Sequence, residues 1–170
     1  YLQEALDKIQ RLSSLRVNWH FIGPIQSNKT KAIAENFQWV HSIDRLKIAQ
    51  RLNDQREPSA TKLNVCVQVK ISQEMNKSGV ELGEAEALCD SIEALPNLHL
   101  RGLMAIPAAE PDPHSQRMAF RALAQEYFRL KPRYTQLDTL SMGMSNDFEA
   151  AIAEGSTLIR IGTGIFGPRS

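Results

Sequence analysis

Short runs of β-branched and aromatic residues alternate with helix-like segments along the whole chain, and this alternation restricts the fold more than any other feature. The apolar runs cover residues 17–23, 39–44, 64–71, 100–107, 139–145 and 157–161. The helix-like segments cover 2–13, 28–36, 45–53, 83–95, 113–130 and 146–154. Strand, helix and strand in this order imply a parallel sheet, because a crossover helix is the usual way to bring the chain back for another parallel strand. Hairpins of the Asn-Gly kind do not occur.

The helix ends carry signals of their own. Ser27 and Asp44 read as N-caps, since a side-chain oxygen there accepts from free amides one turn in. Asn146 and Glu149 have the spacing of a capping box. Gly155 reads as a C-terminal stop after the run AAIAE, and Pro96 ends the segment before it. Ala85, Leu88, Cys89, Ile92 and Leu95 recur at helical spacing, so one face of that helix packs inward. The loops at 56–62 and 108–114 read as the softest places. The whole chain reads as one domain.

A doubly wound nucleotide-binding sheet would place GxGxxG or a P-loop after an early strand. Neither motif follows an early strand. The glycine-rich turn of this chain follows its last strand instead, where phosphate-binding β/α barrels place theirs. A barrel is therefore expected. A closed barrel has eight strands over about 250 residues, whereas six runs are legible here. The chain opens on Tyr1 and enters a helix at once, which assigns the two uncounted strands to the front.

Composition removes several functional classes. The net charge is +1 over 170 residues, with acids interspersed among bases, so no polyanionic partner is indicated. No apolar run approaches the length of a membrane span. Cys66 and Cys89 lie outside any CxxC or Cys/His spacing and read as small buried hydrophobes of a reducing compartment. His20, His41, His99 and His114 have no metal-ligand spacing. They read as packing or surface residues, with an approach of His20 to the cavity from its strand as the lesser alternative.

The stretch LIRIGTGIFG (158–167) holds the clearest site. Strand alternation sets Leu158, Arg160 and Gly162 on one face and Ile159 and Ile161 on the other. With the isoleucines against the helices, Arg160 points into the barrel near its carboxyl end. A guanidinium keeps its proton, so it must find acceptors there. Gly162, Thr163 and Gly164 follow, and glycines let backbone amides approach an anion closely. Ser145 opens the preceding helix, whose N-terminus offers free amides and partial positive charge. Together these parts describe an oxyanion site in the position barrel enzymes use for phosphate. Each part also has an ordinary reading: Ser145 as a cap, the glycines as barrel closure, and Arg160 as the partner of a structural carboxylate.

Five blocks resemble one known family: WHFIGPIQSNK (19–29), HSIDRLKIAQRLN (41–53), NKSGV (76–80), LRGLMAIP (100–107) and LSMGMSNDFEAAIAEGSTLIRIGTGIFG (140–167). They are similar, in order, to the YggS/PROSC family of pyridoxal phosphate homeostasis proteins. The resemblance implies an α/β fold, a (β/α)8 TIM barrel of the alanine racemase N-terminal type, with pyridoxal 5′-phosphate (PLP) as cofactor. It implies that Arg160 faces the pyridine nitrogen and that Gly162, Thr163 and Ser145 hold the phosphate; Met104 and Met144 are candidates to touch the ring or its phosphate arm, with ordinary core packing as their other reading. The family's Schiff-base lysine sits on the first barrel strand in an SKTKP-like segment, and no such segment precedes Tyr1. YLQE resembles the start of the helix after the second strand. On this reading residues 1–170 form one PLP-binding domain comprising barrel units three to eight, preceded by the helix of unit two, with the first two strands absent and no catalytic residue assigned. Lys29, Lys70 and Lys77 match no cofactor-lysine position.

Three functions compete at this stage. The first is a carrier or regulator of PLP and amino-acid homeostasis without robust turnover, because an arginine facing the ring nitrogen leaves the ring neutral and a weak electron sink. The second is a PLP-dependent amino-acid racemase, for which a second base is needed; Tyr127 and Tyr134 read as packing residues rather than that base. The third is a barrel binding a sugar phosphate without PLP. The expected setting is a cytoplasmic monomer that binds PLP, serves PLP-dependent apoenzymes, and engages neither nucleic acid nor membrane.

Overall fold

The computed structural model describes residues 2–72, 78–108 and 112–168. Six parallel strands form one sheet: β1 (His20–Phe21), β2 (Trp39–Ile43), β3 (Leu63–Gln68), β4 (Leu98–Met104), β5 (Thr139–Met144) and β6 (Leu158–Arg160). Helix α1 (Leu2–Arg11) precedes them. Helices α2 (Thr30–Asn36), α3 (Leu46–Gln55), α4 (Ala85–Glu93), α5 (Pro113–Leu130) and α6 (Phe148–Ala153) occupy the successive crossovers. A single turn, α7 (Thr163–Phe166), follows β6.

Strand order across the sheet equals strand order along the chain. With right-handed crossovers, an unbroken order places every crossover helix on the same face. A doubly wound sheet must reverse its order somewhere to cover both faces; this sheet never does. The sheet also curls. Neighbouring strands stand about 4.8 Å apart, so β2 and β5 would be roughly 14 Å apart in a flat sheet. Yet His41 Nδ1 on β2 lies 3.0 Å from Ser141 Oγ on β5. Curl and one-sided helices together make this the arc of a β/α barrel.

Side-chain alternation matches that geometry. On β3, Leu63, Val65 and Val67 join the apolar core, while Asn64, Cys66 and Gln68 take the opposite face. Leu98, Leu100 and Leu103 of β4 and Leu140 and Met142 of β5 join the same core. From the helices come Ile33, Ile48, Leu52, Leu88, Phe120 and Leu123, all buried. The core therefore lies between sheet and helices, and the concave face is left largely to polar side chains.

Several local signals resolve differently from the sequence reading. Ser27 does not cap α2 through its side chain. It opens a 3-10 turn, Ser27–Lys29, and its carbonyl accepts from the Thr30 hydroxyl at 2.9 Å. Asp44 is not a cap either, because its carboxylate takes the Arg45 guanidinium at 2.7 Å. Helix α6 starts after Asp147 with no side-chain cap, so Asn146 and Glu149 form no capping box. The working caps are elsewhere. Asp112 accepts from the Ser115 amide at 2.8 Å ahead of Pro113, and Glu81 and Glu84 form a reciprocal box before α4. Gly155 does sit past the end of α6 with φ +94°, a conformation that suits glycine.

The 56–62 loop is exposed from residue 57 on but anchored at its start. Arg56 is 6% exposed, and its guanidinium donates to the carbonyls of Thr61 and Phe37, pinning the loop to the end of α2. Part of the 108–114 loop lies outside the described residues.

Gly102 tests the close approach of β4 and β5. Its register partner is Thr139, and a Cβ added at Gly102 would run into the Thr139 carbonyl oxygen. Because the obstacle is backbone, Gly102→Ala is expected to destabilise the fold by about 3 kcal/mol, the upper end of ordinary overpacking. Urea denaturation checks this; a variant as stable as the parent would refute the packing described.

Candidate functional site

Arg160 ends β6 with its side chain on the concave face. Its Nη1 donates to Ser141 Oγ at 2.7 Å, and its Nη2 donates to the Ala105 carbonyl at 2.9 Å. The acceptors demanded by a buried guanidinium therefore come from β5 and from the end of β4, not from a structural carboxylate. Burial lowers its pKa to about 10, with Asp147 and Cys66 acting in the opposite direction. The group remains a cation at neutral pH. Its Nε is buried and has no hydrogen-bond partner among the described residues.

The polar contacts continue across the concave face. Ser141 Oγ meets His41 Nδ1 at 3.0 Å, and His41 Nε2 meets His20 Nδ1 at 2.8 Å. Burial, aided by the nearby His20 and Arg160, pushes the His41 pKa down to about 3, so this imidazole is neutral. Burial also lowers the His20 pKa. His20, Trp39 and His41 stack on one another with centroid separations of 5.1 to 5.6 Å. Arg101 lies over the Trp39 ring at 4.5 Å and is held by Asp138 and Asn64. Cys66 belongs to this face too, and burial raises its thiol pKa far above the ordinary value. Cys89 on α4 is raised to about 12 by the same cause. Both cysteines are buried, as expected.

The glycine turn and Ser145 come together as the spacing predicted, but with a changed role for the serine. Ser145 Oγ accepts from the amides of both Gly162 and Gly164, each at 3.2 Å. Its hydroxyl oxygen thus stands where two backbone donors converge. Gly162 precedes α7, and Thr163 is the first residue of that turn, where an amide has no intrahelical carbonyl to meet. Around Gly162 there is open space on the side a Cβ would take. The two methionines separate. Met104 is fully buried in β4 outside the helix-side core, whereas Met144 is 41% exposed at the end of β5, its amide donating to Asp147 at 2.6 Å.

Of the lysines weighed in the sequence, Lys29 is exposed and Lys70 pairs with Glu81 at 3.4 Å. Lys77 and part of NKSGV lie outside the described residues. Tyr127 and Tyr134 are packing residues, their hydroxyls donating to the Leu137 carbonyl at 3.2 Å and to Asp90 at 2.6 Å. A cavity of about 530 Å³ lies against Ser145, Asp147 and Phe148 of the α6 start and Pro113 and Arg117 of α5. It does not include Arg160, and the chemistry described here belongs to the concave face rather than to that cavity.

His41 and Ser141 were not singled out in the sequence. Alternation along β5 does put Ser141 and Thr139 on one face, away from Leu140 and Met142. What the spacing lacks is any sign that β2 meets β5.

The sequence profile of the alanine racemase N-terminal domain matches residues 1–170. The pyridoxal phosphate homeostasis protein of Pseudomonas aeruginosa is 57% identical over 169 residues, covering 99% of this chain and 72% of that protein. The protein so named from Escherichia coli K12 is 54% identical over 172 residues, covering 99% of this chain and 74% of its relative. The structure of PipY from Synechococcus elongatus with PLP bound is 33% identical, with a TM-score of 0.87 over 98% of this chain and 79% of PipY. A Clostridium difficile alanine racemase shares the fold at a TM-score of 0.79 and 15% identity, covering 99% of this chain and 46% of the racemase.

The buried His41 makes stability depend on pH in a stated direction. Its folded pKa lies below the unfolded value of 6.5, at about 3. The contribution is therefore whole above pH 6.5 and drains away as pH falls towards 3, by up to about 1.4 kcal/mol per pH unit. Denaturation midpoints at pH 7, 5.5 and 4.5 should show this decline, and His41→Gln should flatten it whatever its own stability. An unchanged slope in that variant would show that His41 is not held neutral.

Proposed function

Because the chain belongs to the pyridoxal phosphate homeostasis protein family, built on the alanine racemase N-terminal domain fold, we propose that it binds PLP on its concave face in the service of vitamin B6 homeostasis. The observation that carries this reading is the buried Nε of Arg160, without a partner among the described residues, while Nη1 and Nη2 are held by Ser141 and the Ala105 carbonyl. A donor so placed asks for an acceptor on the ligand, and the pyridine nitrogen is one. The residues present therefore fit the cofactor.

Each residue has a definable task. Arg160 donates to the ring nitrogen and cannot give it a full proton, so that nitrogen stays unprotonated. PLP supplies an electron-withdrawing ring and a reactive aldehyde, and an unprotonated ring withdraws electrons weakly. Ser145, Gly162 and Thr163 receive the phosphate. The amides of Gly162 and Gly164 already converge on one oxygen, that of Ser145, and a phosphate oxygen competes for the same donors. The Ser145 hydroxyl then turns from acceptor to donor. Met104 and Met144 flank this region.

Weak activation of the ring suits a carrier or regulator, although an arginine partner does not itself forbid racemisation. The tyrosine hydroxyls support this, since Tyr127 and Tyr134 are engaged in packing and offer no second base for racemisation. The reading extends to residues 1–170 as one domain of barrel units three to eight with the helix of unit two. It extends further to a cytoplasmic monomer that passes PLP to apoenzymes and binds neither nucleic acid nor membrane. No helix among the described residues is long and apolar enough to cross a membrane.

Titration of the intact protein with PLP, followed by absorbance and equilibrium dialysis, tests the proposal. Saturable binding is expected. Arg160→Ala and Ser145→Ala should each weaken it about tenfold, the worth of one hydrogen bond to a charged group. Failure of the parent protein to bind PLP would overturn the reading.

A further inference from the structure

The concave face holds one continuous polar run that PLP binding does not by itself require. It starts at Arg160 on β6, passes through Ser141 on β5 and His41 on β2, and ends at His20 on β1. The donor and acceptor sense of every step follows from the chemistry of its first member. Arg160 has only donors, so Ser141 Oγ accepts from it. Ser141 is fully buried, and among the described residues its oxygen meets only Arg160 and His41. Were His41 to donate from Nδ1, the serine proton would be left buried without an acceptor, a costly arrangement. Ser141 therefore donates to His41 Nδ1. That fixes His41 as the Nε2–H tautomer, which donates in turn to His20 Nδ1.

The alternative charge state fails on the same count. A doubly protonated His41 would aim a second donor at an oxygen that already accepts from a guanidinium. Among the described residues, the charged and titratable groups near this run are Arg160 from β6, Asp147 ahead of α6, Cys66 from β3, His20 from β1, and Arg101 from β4 over the Trp39 ring. None of them is a carboxylate in contact with His41.

We propose that Ser141 and His41, backed by His20, are positioning residues that lock the Arg160 guanidinium in one rotation and so present its Nε to the ligand. A planar guanidinium held at Nη1 and Nη2 by acceptors on two different strands has one orientation left. Ser141 can serve as a fixed acceptor only because His41 takes its proton. His41 can take it only because His20 accepts the next one. The locked arginine is the form that donates to a ring nitrogen without protonating it, so this proposal rests on the PLP reading for its ligand, though not for the direction of the run.

Two measurements on the intact protein separate the possibilities. Long-range proton–nitrogen NMR of the 15N-labelled protein without ligand reads the His41 tautomer. The expected result is a protonated Nε2 and an accepting Nδ1, constant from pH 5 to 8, with this preference lost in Ser141→Ala and kept in Ser141→Thr. Observation of an Nδ1–H tautomer in the parent protein would overturn the proposal. The second measurement adds PLP labelled with 15N in its ring. Ser141→Ala should weaken binding about tenfold and move the ring-nitrogen shift in the same direction as Arg160→Ala. If Arg160→Ala changes both quantities and Ser141→Ala changes neither, the positioning role is refuted while the PLP site stands. If the parent protein takes up no PLP, the cofactor reading falls and the proposed ligand role falls with it, while the tautomer still decides the direction of the run.

Discussion

A guanidinium enclosed by a curled sheet is the demand to which the rest of this molecule answers. Arg160 cannot shed its charge, and burial removes the water that would otherwise solvate it. Its supports come from two other strands, β5 through Ser141 and the end of β4 through the Ala105 carbonyl. The Ser141 support is itself held by His41 on β2, and that contact forms only when the sheet is bent enough to bring β2 and β5 face to face. The apolar core on the outer side supplies the bend, since Leu63, Val65, Val67, Leu100 and Leu140 all turn towards the helices. Packing on one face thus prepares the electrostatics of the other.

The division of labour between faces also explains why the concave side tolerates so much polarity. Buried polar groups are acceptable when each finds a partner. Arg101 finds Asp138, Asn64 and the Trp39 ring. His41 finds Ser141 and His20. The exception is Arg160 Nε, and an exception inside an otherwise satisfied network is informative about what the network was built to meet. The glycine turn behaves similarly. Its amides are gathered on Ser145 rather than left idle, which keeps the oxyanion position shaped.

Much of this was legible in the sequence. Alternation located all six strands and their helices because period-2 and period-3.6 patterns are properties of neighbouring residues. The motif spacing around Ser145, Arg160 and Gly162 joined β5 to the turn after β6 because adjacent strands in a β/α barrel run side by side. Capping was misread where charge intervened. Asp44 prefers the Arg45 guanidinium to a backbone amide, and α6 starts only after Asp147, so neither Asp44 nor Asn146 caps the helix after it. Arg56 looked like a loop residue because nothing local shows that two carbonyl-bearing segments close around it. The pairing of His41 with Ser141 was hidden for a deeper reason. It joins residues one hundred positions apart and depends on sheet curvature, which no single strand encodes.

That separation bears on how the molecule comes together. Every strand pairs with the one before it in the chain, so the sheet can grow by local additions, each closing a modest loop. The contact between β2 and β5 follows a different logic, because it can form only after the intervening units have docked and the arc has taken its curvature. Early strand pairing is therefore indifferent to the polar run, and on the proposed positioning role the arginine gains its fixed bearing only once β2 and β5 meet. A nascent or partly unfolded chain would carry the same residues without the His41–Ser141 contact that joins them.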